Sequence, residues 1–352
     1  MEGKTMIPFS EKTKDSIPVV TAEEMERVYK ELRTPYKWGP VIKRENFFND
    51  CATIFKQEGR WYMMYTGIEP NGKNMGYDTY LAVSEDLLHW EEKGKVLERG
   101  GTGFDSCQRD GGFSLLETDW NGDFSIHSYK GKYYATYIGG ALAGYETPPL
   151  QIGLAWCEDP TKAQLWETKK EPILATTDSD VRWFEDFTLY KSYIIEDKEE
   201  SLGYPFLMYY NCKGNKMPER ICMAVSNDMV HWERYGEDPV VDNGDTIGNF
   251  ISGDPQVFKM GDLWVMNYFI AMNKDGKCTA YDTFAVSKDL VYWTKWEGSP
   301  LIEPSEAWDN LFAHKPFLVK EKGIVYHFYC ACNDKGERFL ALATSKNLQV
   351  GE

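Results

Sequence analysis

The chain has 352 residues, 42% of them hydrophobic, enough to bury a large core in one or two domains. Its formal charge of -16 argues against nucleic acid or an anionic membrane as partner, because binding phosphate needs a basic face. No apolar run approaches the roughly 20 residues of a membrane helix. The eight cysteines form no CxxC pair and no His/Cys cluster, which argues against zinc and fits thiols in a reducing compartment, with a disulfide or two left open.

The N-terminus "MEGKTMIPFSEKTKDS" lacks the apolar core of a secretory signal. The expectation is a cytoplasmic location, or a periplasmic or secreted one if a leader has been removed. Residues 1–36 read as an extension carrying one helix over about 21–33, "TAEEMERVYKELR". Thr21 and Glu24 form a capping box there, and Met25, Val28, Tyr29 and Leu32 share one face. From residue 37 to 352 the chain reads as strands. "FFNDCATIFKQEGRWYMMYTG", Phe47 to Gly67, is an apolar strand, a turn at Gln57-Glu58-Gly59 and an aromatic strand.

One phrase then recurs: "AVSEDLLHW" from Ala82, "AWCEDPTKAQLW" from Ala155, "AVSNDMVHW" from Ala224, "AVSKDLVYW" from Ala285 and a shortened "ATSKNL" from Ala343. The first four each lead into a short apolar phrase: "GKVL" at Gly94, "EPIL" at Glu171, "DPVV" at Asp238 and "SPLI" at Ser299. The fifth lacks one, yet "GPVI" stands at Gly39, ahead of the first copy. An all-β ring follows, a five-bladed β-propeller in one domain over 1–352, with an N-terminal strand completing the last blade. Asp86, Asp228 and Asp289, and Trp90, Trp232 and Trp293, recur with the repeat and read as turn and core residues.

The first strands align without gaps as "DCATIFK" from Asp50, "EDFTLYK" from Glu185, "GDPQVFK" from Gly253 and "HKPFLVK" from His314. In the second unit an Asp five residues upstream, as Asp180 precedes Glu185 and Asp309 precedes His314, favours Asp110 behind Asp105. Distance to the next Gly turn favours Asp123 instead. Strand-mouth carboxylates of a propeller converge on one end of its channel, where like charges raise at least one pKa. Glycosidic cleavage needs this: a protonated acid for the leaving oxygen and an ionised carboxylate to activate water or attack.

Five units with Asp, Asp and Glu from the first three resemble the five-bladed propeller glycosidases, most closely glycoside hydrolase family 43 and its relatives. "ND" at Asn49-Asp50, "RD" at Arg109-Asp110 and the Glu of "FED" echo the fructan-cleaving relatives. The resemblance implies Asp50 as general base, Asp110 as the residue tuning and orienting the acid, Glu185 as general acid, and an inverting reaction on a neutral glycan. No organic cofactor is required, and a calcium ion in the channel beside His314 is the metal it allows. Around the mouths, Phe48, Asn49, Arg109, Trp183, Asp254, Trp308, His314 and Lys315 are the candidates to bind sugar, the aromatics by stacking. Cys51 stands where the relatives usually carry Pro after the base, and Gly111 follows Asp110. Arg109, Arg182, His314 and Lys315 keep open a phosphorolytic reading similar to glycoside hydrolase family 130. A propeller that only binds carbohydrate is the third alternative.

Overall fold

A computed structural model describes residues 4–9, 17–70, 75–215, 218–244 and 248–348, so residues 1–3 and 10–16 of the N-terminal extension lie outside the described residues. Helix α1 spans Ala22–Leu32. The Thr21 hydroxyl accepts from the Glu24 amide at 3.2 Å, and the Glu24 carboxylate accepts from the Thr21 amide at 2.7 Å, closing the capping box. Met25, Val28 and Leu32 are buried, and Tyr29 stacks on Trp296 at 5.0 Å. The amphipathic pattern thus seats the helix against the strands.

Among the described residues the other regular elements are strands, grouped by pairing into antiparallel meanders. The first holds β2 (Phe48–Gln57), β3 (Arg60–Ile68), β4 (Tyr77–Ser84) and β5 (Glu91–Leu97). The second holds β6 (Gln108–Phe113), β7 (Tyr133–Gly140), β8 (Leu150–Cys157) and β9 (Glu167–Thr168). The third holds β10 (Thr188–Glu196), β11 (Phe206–Lys213), β12 (Glu219–Ser226) and β13 (Glu233–Tyr235). In the fourth are β14 (Asn249–Met260), β15 (Leu263–Lys274), β16 (Lys277–Ser287) and β17 (Thr294–Lys295). The last joins β18 (Phe312–Glu321), β19 (Ile324–Cys332) and β20 (Arg338–Thr344) to β1 (Tyr36–Ile42). The displaced "GPVI" lies in β1, with Gly39 opposite Leu342 and Pro40 opposite Ala341.

The first strands β2, β6, β10, β14 and β18 are neighbours in that order, and β18 also lies beside β2. The recurrent phrase makes one turn three times over. Asp86, Asp228 and Asp289 accept from backbone amides just downstream, and Trp90, Trp232 and Trp293 donate their indole N–H to the carbonyls of Leu87, Met229 and Leu290. Cys212 and Cys222, on adjacent strands, are joined by a disulfide, and the other six cysteines are free. Among the described residues no helix is long and apolar enough to cross a membrane.

Candidate active site

Three first strands carry the same irregularity. The ladder shifts register immediately after Asp50 in β2, after Gly253 in β14 and after His314 in β18. The residues that follow, Cys51, Asp254 and Lys315, have φ of 51°, 53° and 61°. Such a bulge re-aims a side chain out of the strand's alternation. It turns all three toward one cavity of ≈ 150 Å³. Tyr190 of β10 joins them, Asn211 and Glu219 come from β11 and β12, and Tyr145 and Glu146 descend from the loop between β7 and β8. Phe250, Phe269 and Phe312 form an apolar wall. An apolar cavity of about this volume holds one benzene ring, so the space is that of a single small ring.

Its charges are unevenly disposed. Glu219, the first residue of β12, is 7% exposed. Burial and the charge of Glu146 push its carboxyl up to about 8, against the opposing pull of Lys213. Glu219 is therefore protonated at neutral pH. The Glu146 carboxylate forms an ion pair with Lys315 Nζ at 3.2 Å, and the same ammonium lies 3.0 Å from Asp50. Arg338, on the other side, reaches Asp50 at 2.7 Å. Burial alone would raise the Asp50 carboxyl, but Lys315 and Arg338 outweigh it and hold it well below the usual carboxylate range. Asp254 is pushed up to about 6, chiefly by burial. The cavity thus offers a proton donor, a carboxylate on a cationic anchor, and a ring-sized apolar wall.

The sequence-predicted residues fall into two groups. Asp254, His314 and Lys315 line the cavity, and Asp50 touches it through Lys315, Arg338 and Tyr145. Asp110, in β6, is buried against Lys191 Nζ at 3.1 Å and accepts from the Thr66 hydroxyl. The rival Asp123 lies elsewhere, in a loop beside the β2–β3 and β18–β19 turns. Glu185 does not reach the cavity. It is fully buried before β10 begins, bound by Arg234 at 2.7 Å, Arg182 at 2.7 Å and the Tyr210 hydroxyl at 2.6 Å. Burial would raise this carboxyl, but the two guanidiniums keep it low. Asp105 and Asp309 likewise accept from second-strand tyrosines, Tyr137 and Tyr329, so Glu185 repeats a structural anchor. The register shift in β10 follows Leu189, not Glu185, which is why the gap-free alignment misplaces the third unit.

Other candidates are also held elsewhere. Asn49 is buried and accepts from the Arg44 amide. Arg109 pairs with Asp105 at 2.9 Å, and Phe48 lines a separate surface hollow with Arg44. Trp308 donates to the Tyr329 hydroxyl at 3.4 Å. Trp183 is 69% exposed under the Arg220 guanidinium, 5.2 Å from its ring centre. Calcium beside His314 does not fit the donors present. Calcium takes six to eight oxygens. His314 instead faces two thiols, Cys330 and Cys332, and the rings of Phe269 and Phe312, with the Arg338 guanidinium 3.6 Å from Cys330 Sγ.

Comparison with known proteins shows the class to which these meanders and their carboxyl-lined cavity belong: the protein is a glycosidase. The model of the glycosyl hydrolases family 32 N-terminal domain matches residues 41–309, and the chain belongs to that family. Among solved structures it is similar to a complex of BT0996 named with RGII, at 41% identity over 94% of this chain and 97% of that one, with a TM-score of 0.89. A structure described as a glycoside hydrolase is 40% identical over 95% and 98%, also at 0.89. A thermostable family-43 glycoside hydrolase, 18% identical over 88% and 91% with a TM-score of 0.56, shares the fold. No curated protein sequence matches the chain.

Proposed function

We propose that the five meanders are the blades of a single-domain, five-bladed β-propeller fastened by β1, and that its cavity hydrolyses the bond to one terminal sugar of a neutral oligosaccharide. Glu219 gives its proton to the leaving oxygen. The Glu146 carboxylate, anchored by Lys315, acts at the opposite face of the ring by drawing a proton from the attacking water, the inverting course implied by the resemblance to glycoside hydrolase family 43. Asp50 positions Lys315 and Arg338 and is not the base; Glu185 is not the acid. The observation that carries this reading is the Glu219 carboxyl pushed up to about 8 in the cavity that it shares with Glu146.

A cavity closed behind the ring by Phe250, Phe269 and Phe312 supports removal of single end units. RGII is named with BT0996, and the 41% identity supports an RGII oligosaccharide as the candidate substrate. The test is release of 4-nitrophenol from a panel of aryl glycosides, with and without phosphate, and of reducing sugar from RGII oligosaccharides. Phosphate-independent turnover that vanishes in Glu146→Gln is expected. Turnover that requires phosphate, or that survives this substitution, overturns the proposal.

A further inference from the structure

The surroundings that reject calcium are those a thiophilic ion selects. Cys330 and Cys332 are two apart in β19, so both side chains leave the same face of the sheet. His314 in β18 is the cross-strand partner of Cys330. The register thus brings one imidazole and two thiols together, and their ligand atoms all lie within 4.8 Å of one another. All three residues are buried, at 5%, 0% and 5% exposure. Linear spacing carries no hint of this cluster, because pairing of strands, not a CxxC loop, assembles it.

We propose that His314, Cys330 and Cys332 form a binding site for a single thiophilic d¹⁰ cation, zinc in the first place, in the wall of the cavity. The distances suit that ion. Two thiolates at about 2.3 Å from a tetrahedral zinc stand about 3.8 Å apart, and the two Sγ atoms are 3.9 Å apart. His314 Nδ1 lies 3.0 Å from the Cys330 carbonyl oxygen, to which its N–H donates, leaving Nε2 as the unprotonated nitrogen. An outer hydrogen bond of this kind is the usual way a protein fixes the tautomer and orientation of a metal-binding histidine. One histidine and two cysteines leave a fourth position open, the ligand count of zinc sites that admit water or substrate. The nearby Arg338 cation opposes a second positive charge, and Asp50, 2.7 Å from Arg338 and 3.0 Å from Lys315, offsets part of it. His314 also lines the cavity, so the ion would border the space proposed for the sugar.

The site is independent of the proposed roles of Glu219 and Glu146 and is tested without activity. The full chain carrying Cys278→Ser, which removes the exposed thiol, is titrated with cadmium and read by its thiolate-to-metal charge-transfer absorption. One equivalent with the intensity of two thiolates is expected, displaced by zinc and unaffected by millimolar calcium. Cys332→Ser should weaken binding more than tenfold. No band, or a band unchanged by Cys332→Ser, overturns the site. Because that substitution lies in a buried strand, X-ray absorption at the zinc edge of the unsubstituted chain gives a second reading. Two sulfurs with a nitrogen shell support the site, and a shell of oxygen and nitrogen alone overturns it.

Discussion

Glu219 and Glu146 face the same cavity from different meanders, and after burial the charge on Glu146 is the strongest influence holding the Glu219 proton in place. One carboxyl keeps its proton because the other, tied to Lys315, supplies negative charge beside it. This division of labour between two like groups is what acid-assisted cleavage of a glycosidic bond requires.

It sets a pH dependence. The acid works only while protonated, so kcat/KM should fall as pH rises through about 8, following the Glu219 value. Lys213 favours ionised Glu219 and pairs across from it in the ladder between β11 and β12. Lys213→Met should therefore move the alkaline limb to higher pH while the protein stays active. A pH profile of both forms, on one aryl glycoside, checks the direction; a limb moving to lower pH would contradict the electrostatic account.

Glu185 gives the opposite expectation. Glu185→Gln leaves the buried cations of Arg182 and Arg234 short of their counter-charge. Removing one partner of a buried ion pair costs about 3–5 kcal/mol. Denaturant unfolding should show a loss of that order, with kcat of the folded enzyme changed by less than about tenfold.

Much of this was legible in the sequence. The recurrent phrase places the meanders, the capping box places α1, and the displaced "GPVI" predicts the pairing of β1 with β20. The alignment of first strands is sound for Asp50, Gly253 and His314, each followed by the same bulge. It fails at Glu185, because the irregularity in β10 comes later, and no sequence pattern marks where a ladder shifts. Asp50 does lie near the start of a strand at the cavity, but the bulge aims the next residue inward, so identity at the mouth says less than identity one step on. Glu219 could have been found. Counting seven residues back from the Ser, Cys or Ser ending each "AVS" phrase gives Tyr77, Leu150, Glu219, Ala280 and Arg338. That column is apolar or aromatic except for two charges, and both face the cavity. Glu146 left no such signal, since it lies in an irregular loop outside the repeat.

We extend the proposal to Trp183, which is exposed under the Arg220 guanidinium and outside the cavity, and assign it to stack a sugar unit beyond the one bound there. Aromatic pairs gain about 0.5–1.5 kcal/mol beyond buried area, and a sugar stacked on the indole is taken at the same order. Trp183→Ala should raise KM for an oligosaccharide about three- to tenfold and leave aryl glycosides nearly unchanged. Parallel kinetics on the two substrate types decide it.

The central claim is that Glu219 is the acid, and leaving-group dependence tests it most directly. The measurement is kcat/KM of Glu219→Gln relative to the parent protein, on the oligosaccharide and on an activated aryl glycoside whose phenolate departs without a proton. The account predicts a loss of about 10²–10⁴-fold on the oligosaccharide, the usual worth of general acid catalysis, and a far smaller loss on the activated substrate. Equal losses on both, or none on either, would contradict it.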